Sequence, residues 1–197
     1  MHGTEDVSSW VARWSHLVPR DAANGRVLDV ACGAGRHALH FLKQNRHVAG
    51  IDIARSALEI IATQLSDEEQ TRWQPIHADI EKGAWPLPNE QFAGVIVTNY
   101  LWRPLLTTLM QSVSDGGVLI YETFCVGNET VGKPSRPDFL LQPAELLHTC
   151  HSAGLRVIAY EDGFLDQTDR FMQRIAAVRE NSSSIYPVRH RLLPSIA

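Results

Sequence analysis

The chain has 197 residues and a formal net charge of −4, enough for one domain with a substantial core and too few for two of ordinary size. With 44% hydrophobic and 20% charged residues it has the balance of a folded globular domain, which argues against disorder, while the acidic surplus argues against nucleic-acid binding by bulk charge. Cys32, Cys125 and Cys150 show no framework spacing, the opening Met-His-Gly-Thr-Glu-Asp lacks the basic and apolar regions of a signal peptide, and no apolar run approaches the ~20 residues of a bilayer span; a cytoplasmic protein without membrane association is expected.

The first twenty residues, 1–20, read as a helical segment. Over 8–17 the spacing sets Trp10, Trp14 and Leu17 on one face, an amphipathic helix that covers a sheet edge or lies over a ligand. Exposed Trp and Leu there would offer a contact surface between chains, with oligomeric state left open. Short runs rich in Val and Ile follow at 26–31, 47–53, 72–77, 92–99 and 117–124, and each reads as a strand. Between them 36–44, 56–65 and 101–113 carry apolar residues at helical intervals, the last stopped by Gly116 and Gly117. This alternation predicts a doubly wound parallel sheet with helices on both faces. A polar loop at 126–136 and a helix at 144–153 come next. Strands at 155–161 and 171–179 close the chain; the nine residues between them are too few for a crossover helix, so they pair antiparallel as a hairpin. The whole is a Rossmann-like seven-stranded, mostly parallel α/β sheet.

In such sheets ligands bind beyond the carboxyl ends of the strands. The first strand runs Val27-Leu28-Asp29-Val30 into Ala31-Cys32-Gly33-Ala34-Gly35 and then a helix. Gly33 and Gly35 lack the Cβ atoms that would keep the backbone from a ligand, and the loop exposes backbone donors. The second strand ends in Asp52 and Ile53, where a carboxylate can accept from two vicinal ribose hydroxyls. The third ends in Asp79 and Ile80, an acid for an exocyclic amine beside an apolar contact for an adenine ring. Asn99 closes the fourth. An acid after a strand is a common helix cap; these three strand ends in this order describe an adenosine site.

The chain resembles the class I S-adenosylmethionine-dependent methyltransferases. Asp29, Gly33 and Gly35 match their Asp-x-x-x-Gly-x-Gly signature, Asp52 and Asp79 fall at the next two motifs, and the terminal antiparallel hairpin distinguishes their sheet from an ordinary dinucleotide fold. The resemblance covers nearly the full chain and implies a single methyltransferase domain over 1–197, similar to small stand-alone tellurite-resistance and thiopurine-type enzymes. It implies that the first motif borders the methionine part of S-adenosylmethionine, Asp52 holds the ribose and Asp79 lies near the adenine. The fourth strand continues Asn99-Tyr100-Leu101-Trp102-Arg103, which departs from the Asn/Asp-Pro-Pro-Tyr motif of enzymes acting on amines of bases or glutamine amides. Methyl transfer to a small-molecule acceptor by in-line displacement is the implied function. A nicotinamide dehydrogenase is the rival, since Gly33-x-Gly35-x-x-Ala38 also satisfies the looser dinucleotide fingerprint. A protein that binds S-adenosylmethionine without transferring its methyl is a third reading.

On the acceptor side the strand ends nominate Asn99, Tyr100, Trp102 and Arg103, then Glu122, Thr123 and Phe124. Tyr100, which could shape an acceptor site or stabilise positive charge through its ring, and Glu122, a base or merely an arginine's partner, are the catalytic candidates, while Trp102 reads as core or pocket wall. Arg103 opens a helix, where a cation is unfavourable, so an anionic partner or a surface place is expected. The stretch 125–141, with Asn128, Lys133, Arg136 and Phe139, reads as a lid for an anionic or aromatic acceptor or else as a connector. His37 is expected to face solvent from the first turn of its helix. Cys32 is expected to pack beneath the cofactor. His148, Cys150 and His151 crowd one helical turn without a second ligand pair, which speaks for a surface helix over a metal site. Arg170, Arg174, Arg179, Arg189 and Arg191 read as a solvated surface.

Overall fold

In the computed structural model, residues 6–181 and 188–193 are described; the first five residues of the 1–20 segment, and with them most of the leader reading, lie outside them. The strands are β1 (Val27–Val30), β2 (Val48–Asp52), β3 (Trp73–His77), β4 (Phe92–Thr98), β5 (Val113–Phe124), β6 (Arg156–Leu165) and β7 (Arg170–Val178). They form one sheet in the order β3-β2-β1-β4-β5-β7-β6, with β1 to β5 parallel and β7 antiparallel to both of its neighbours. The helices are α1 (Ser9–Trp14), α2 (Arg36–Leu42), α3 (Arg55–Thr63), α4 (Asp67–Gln70), α5 (Leu106–Gln111) and α6 (Glu145–Ser152).

Successive strand residues point to opposite faces, and here both faces are apolar because both are covered. Leu28, Val95, Val97, Leu119, Tyr121 and Ile175 pack with Leu109, Met110 and Leu146 from α5 and α6. Their alternates Val27, Ile96, Val118, Ile120 and Ala176 pack with Trp10, Trp14, Phe41 and Ile61 from α1, α2 and α3. Trp10 and Trp14 are therefore interior: both are 1% exposed, and the Trp10 indole donates to the Ile175 carbonyl at 3.2 Å. That corrects the exposed contact surface read from the N-terminal segment, whose apolar face is spent on the sheet.

Three element boundaries differ from the sequence reading for identifiable reasons. The helix expected over 101–113 is a short 3-10 turn, Arg103–Leu105, followed by α5, and Gly116-Gly117 lies inside β5 rather than at a helix stop. Phe92 pairs with Val113 and Gly94 with Val118, so the intervening residues bulge out. Gly117 is required there, since a Cβ would stand 2.8 Å from the Phe92 and Ser114 carbonyl oxygens. The closing hairpin runs further than 155–161 and 171–179, because Phe164 and Phe171 pack across it with centroids 4.8 Å apart and extend the ladder. Helix α4 was not anticipated, although Ser66 and Glu69 form a capping box that the spacing announces.

Candidate functional site

The sheet order places the ends of β3, β2, β1 and β4 side by side, and the chain crosses to opposite sides of the sheet at β1 and β4, where an open α/β sheet leaves a crevice. The loop after β1 shapes its floor. Ala31, Gly33 and Gly35 all take left-handed conformations, with φ of 52°, 52° and 80°. A Cβ on Gly35 would stand 2.5 Å from Ile61, so this glycine lets α3 close against the loop; a Cβ on Gly33 would meet nothing within 4 Å and would project into open space. The two glycines of the motif thus do different work.

Two carboxylates hold the loop. Asp52 Oδ2 accepts from the Gly33 amide at 2.7 Å while its Oδ1 accepts from the Ala54 amide at 2.8 Å. A carboxylate offers about four lone-pair directions, so Asp52 keeps capacity for further donors. Asp29 sits beneath, 1% exposed, and accepts from the Ala38 amide at 2.9 Å. Burial pushes its carboxyl up to about 7, against the lowering effects of the Ala38 bond and the Arg36 charge. Of the residues assigned to the cofactor, Asp29 alone faces away from the hollow and fastens the first turn of α2 instead.

A hollow of about 240 Å³ lies beyond β2 and β3, lined by Ala31, Asp52, Ile53, Asp79, Ile80 and Tyr100. Asp79 Oδ1 caps its own turn, accepting from the Glu81 and Lys82 amides at 3.1 Å each. Ile53 is 63% exposed at the rim, an unusual place for an isoleucine. Burial pushes the Tyr100 phenol up, aided by the nearby Glu81 and Asp79 charges. Ala31 also lines a cavity of about 650 Å³ above the glycine loop, which Gly33, Ala34 and Gly35 share with His37, Thr98, Asn99, Phe124, Lys133 and Arg170. Asn99 is exposed with φ of 54°, a strained backbone at a strand end, and its amide donates to the Glu122 carbonyl at 3.0 Å.

His37 is buried, against the expectation that it faces solvent. The Ser8 amide donates to its Nε2 at 3.4 Å, which leaves the proton on Nδ1, and Nδ1 meets Thr98 Oγ1 at 3.4 Å. Burial, with the Arg36 and His40 charges, pulls its pKa down to about 3. This neutral imidazole ties the N-terminal segment to the end of β4.

Arg103 is likewise placed by the structure. Its guanidinium makes a two-pronged contact with Glu145, Nε to Oε1 at 2.7 Å and Nη2 to Oε2 at 2.9 Å, and also donates to the Asp138 and Leu140 carbonyls. The anionic partner is thus within the protein, and the pair pins the far end of the 125–141 stretch. Its near end is held where Cys125 bridges Leu141 and where the buried Asn128 donates to the Pro134 carbonyl and accepts from the Phe171 amide. Glu122 and Thr123 are buried; Glu122 faces Arg174 across the β5–β7 ladder. Cys32 is buried below the loop, and burial pushes its thiol up. Cys150 is inside the core while His148 and His151 are exposed, so the three do not converge.

Three arginines are not the solvated surface expected of them. Arg179 donates to the Val113 and Met110 carbonyls and closes the end of α5. Arg170 and Arg174 line the site, having been folded back to it by β7, and sequence spacing carried no signal for this.

The sheet order, with an antiparallel β7 between β5 and β6, is the one that the resemblance to the class I, S-adenosylmethionine-dependent methyltransferases implies. Residues 27–117, the strands and loops that build the site, match a family model described as a methyltransferase domain. Among solved structures, the fold matches a SAM-dependent methyltransferase from Methanosarcina mazei with a TM-score of 0.67 at 13% identity, covering 90% of this chain and 100% of that one. A TehB-like SAM-dependent methyltransferase from Corynebacterium glutamicum matches at 0.60 and 15%, covering 89% and 90%. The [4+2]-cyclase SpnF matches at 0.62 and 16%, covering 80% and 76%. At these identities the likeness is one of fold. No curated protein matches the sequence.

Proposed function

We propose that the chain transfers a methyl group from S-adenosylmethionine to a small-molecule acceptor by in-line displacement. One arrangement carries this reading: two hollows that share Ala31 as a wall set the Asp52 carboxylate and the Asp79–Ile80 pair beside the open backbone of Gly33. Asp52 is placed for ribose hydroxyls, Ile53 and Ile80 for the faces of an adenine with Asp79 at its amine, and the Gly33–Gly35 backbone with Ala34 for the methionine end. Asn99 stands between this region and the acceptor. When bound, S-adenosylmethionine supplies a methyl already activated on a sulfonium, so the protein's task is to hold the acceptor in line. Tyr100 shapes the wall between adenine and acceptor; Glu122 opposite Arg174 serves structure before catalysis.

The dehydrogenase reading has less support, because the usual dinucleotide-binding order 3-2-1-4-5-6 has no antiparallel strand between its fifth and sixth strands, where this sheet has β7. The domain spans 1–197, and the exposed middle of 125–141, pinned at both ends, closes over the acceptor as a lid. No described helix is long and apolar enough to cross a membrane, and three buried free cysteines suit a reducing cytoplasm. Because a fold alone does not decide an activity, the test has two stages. Calorimetry with S-adenosylmethionine, S-adenosylhomocysteine and NAD is expected to show binding of both sulfur nucleosides and none of NAD. Labelled methyl should then appear in an acceptor from a small-molecule screen; binding without transfer to any acceptor would favour the non-catalytic alternative.

A further inference from the structure

Positive charge gathers at the acceptor end of the cavity, in a chain whose net charge is −4. The cavity above the glycine loop and the hollow beside it at the ends of β5 and β7 are lined by Arg36, Lys43, Lys133, Arg170 and Arg174 against only two acids, Asp6 and Glu122. These cations are not equally committed. Arg174 is buried, faces Glu122 in the strand register and reaches Glu161 at 3.6 Å. Arg170 instead lies over the Phe124 ring, 5.7 Å from its centroid, and makes no ion pair among the described residues, even with Asp166 and Asp169 in the adjoining turn. Lys133, from the 125–141 stretch, reaches the same cavity and is likewise unpaired among the described residues. Next to them Tyr100, Leu101, Phe124, Pro134 and Phe139, with one acid, Glu81, line a largely apolar hollow of about 270 Å³, and Asn99 borders all three spaces.

A cation left without a protein carboxylate beside a strained strand end and an aromatic wall is a recognition element for a ligand of opposite charge. We propose that the acceptor is a small organic anion, its carboxylate or phosphate group held by Arg170 and Lys133 and its planar apolar body lying against Phe124 and Phe139. This rests on the methyl-donor reading above and adds the chemical class of the acceptor. The lid then contributes a charge to binding, through Lys133, as well as cover. It also gives the antiparallel hairpin a function, since Arg170 reaches the site only because β7 returns beside β5.

The test titrates benzoate, phenyl phosphate and benzamide, which share one body and differ in charge, into protein saturated with S-adenosylhomocysteine and into protein without it. At least one anion is expected to bind about tenfold or more tightly than benzamide, the worth of one charge-assisted hydrogen bond, with the advantage shrinking as salt is raised. Comparison of the two anions distinguishes carboxylate from phosphate. Arg170→Gln and Lys133→Gln should each remove most of the advantage while leaving S-adenosylhomocysteine affinity within about twofold. Equal binding of benzamide and the anions, or undiminished selectivity in both variants, would overturn the proposal. So would a large loss of S-adenosylhomocysteine affinity in either variant, which would place the cations on the donor's own carboxylate. Anion selectivity in a protein that binds no S-adenosylhomocysteine would support the anion site and overturn the methyl-donor reading instead.

Discussion

Replacing Gly33 and Gly35 separately by alanine should divide folding from ligand binding within one three-residue motif. Both residues have positive φ, 52° and 80°, so each substitution carries a backbone penalty of about 1–2 kcal/mol. For Gly35→Ala the new methyl also stands 2.5 Å from Ile61 Cδ1 and Cγ1, and overpacking of this kind costs about 1–3 kcal/mol more. At about 2–4 °C per kcal/mol for a chain of this size, Gly35→Ala should lower Tm by roughly 10 °C and Gly33→Ala by less than half of that. Binding should run the other way. The Gly33 methyl meets no protein atom within 4 Å and enters the cavity, so Gly33→Ala should weaken S-adenosylhomocysteine by about tenfold or more in calorimetry while remaining folded. Unchanged affinity in a folded Gly33→Ala protein would refute the placement of the cofactor above this loop.

Asp52→Asn should lower S-adenosylhomocysteine affinity by about 10- to 100-fold, since hydrogen bonds to a charged acceptor contribute about 1.5–3 kcal/mol each and the new amide sets an N–H against the Gly33 or Ala54 amide; calorimetry showing less than a twofold change would exclude a ribose role. His37 and Asp29 should make stability respond to pH in opposite directions. Below the ordinary histidine value of 6.5 the unfolded chain takes up a proton that native His37, at about 3, refuses, so this group removes about 2 kcal/mol between pH 7.5 and 5. Native Asp29, raised to about 7, holds a proton that the unfolded chain releases above about 4, so its contribution is lost as pH rises and is regained on acidification over the same window. Urea titrations should therefore find the wild type nearly flat from pH 7.5 to 5 and His37→Gln gaining about 2 kcal/mol relative to it; parallel curves would reject the buried neutral imidazole. Arg103→Met removes four hydrogen bonds to Glu145, Asp138 and Leu140 and should speed limited proteolysis within 126–139, with the sheet intact by circular dichroism. An unaltered cleavage rate would show that the loop is held elsewhere.

Periodicity and glycine chemistry determined much of this protein. Apolar strands buried on both faces, helices between them and a hairpin too short for a crossover leave few ways to build a sheet, and all seven strands lie where alternation put them, within a few residues. The positions of Gly33, Asp52 and Asp79 at successive strand ends were legible for the same reason, since a parallel sheet brings such ends together whatever the side chains do. Tertiary structure alone decided the contacts between elements distant in sequence. Trp10 and Trp14 are interior because the sheet face beneath them is apolar, and His37 is buried because Ser8 and Thr98 close on either side of it. Asp29, read as part of the cofactor site, supports α2 from below. Arg103 finds its anion 42 residues away, and Arg170 reaches the acceptor side only through β7. Local pattern specifies which face of an element is apolar and where a backbone must bend; it carries no information about which polar groups meet once those faces are buried.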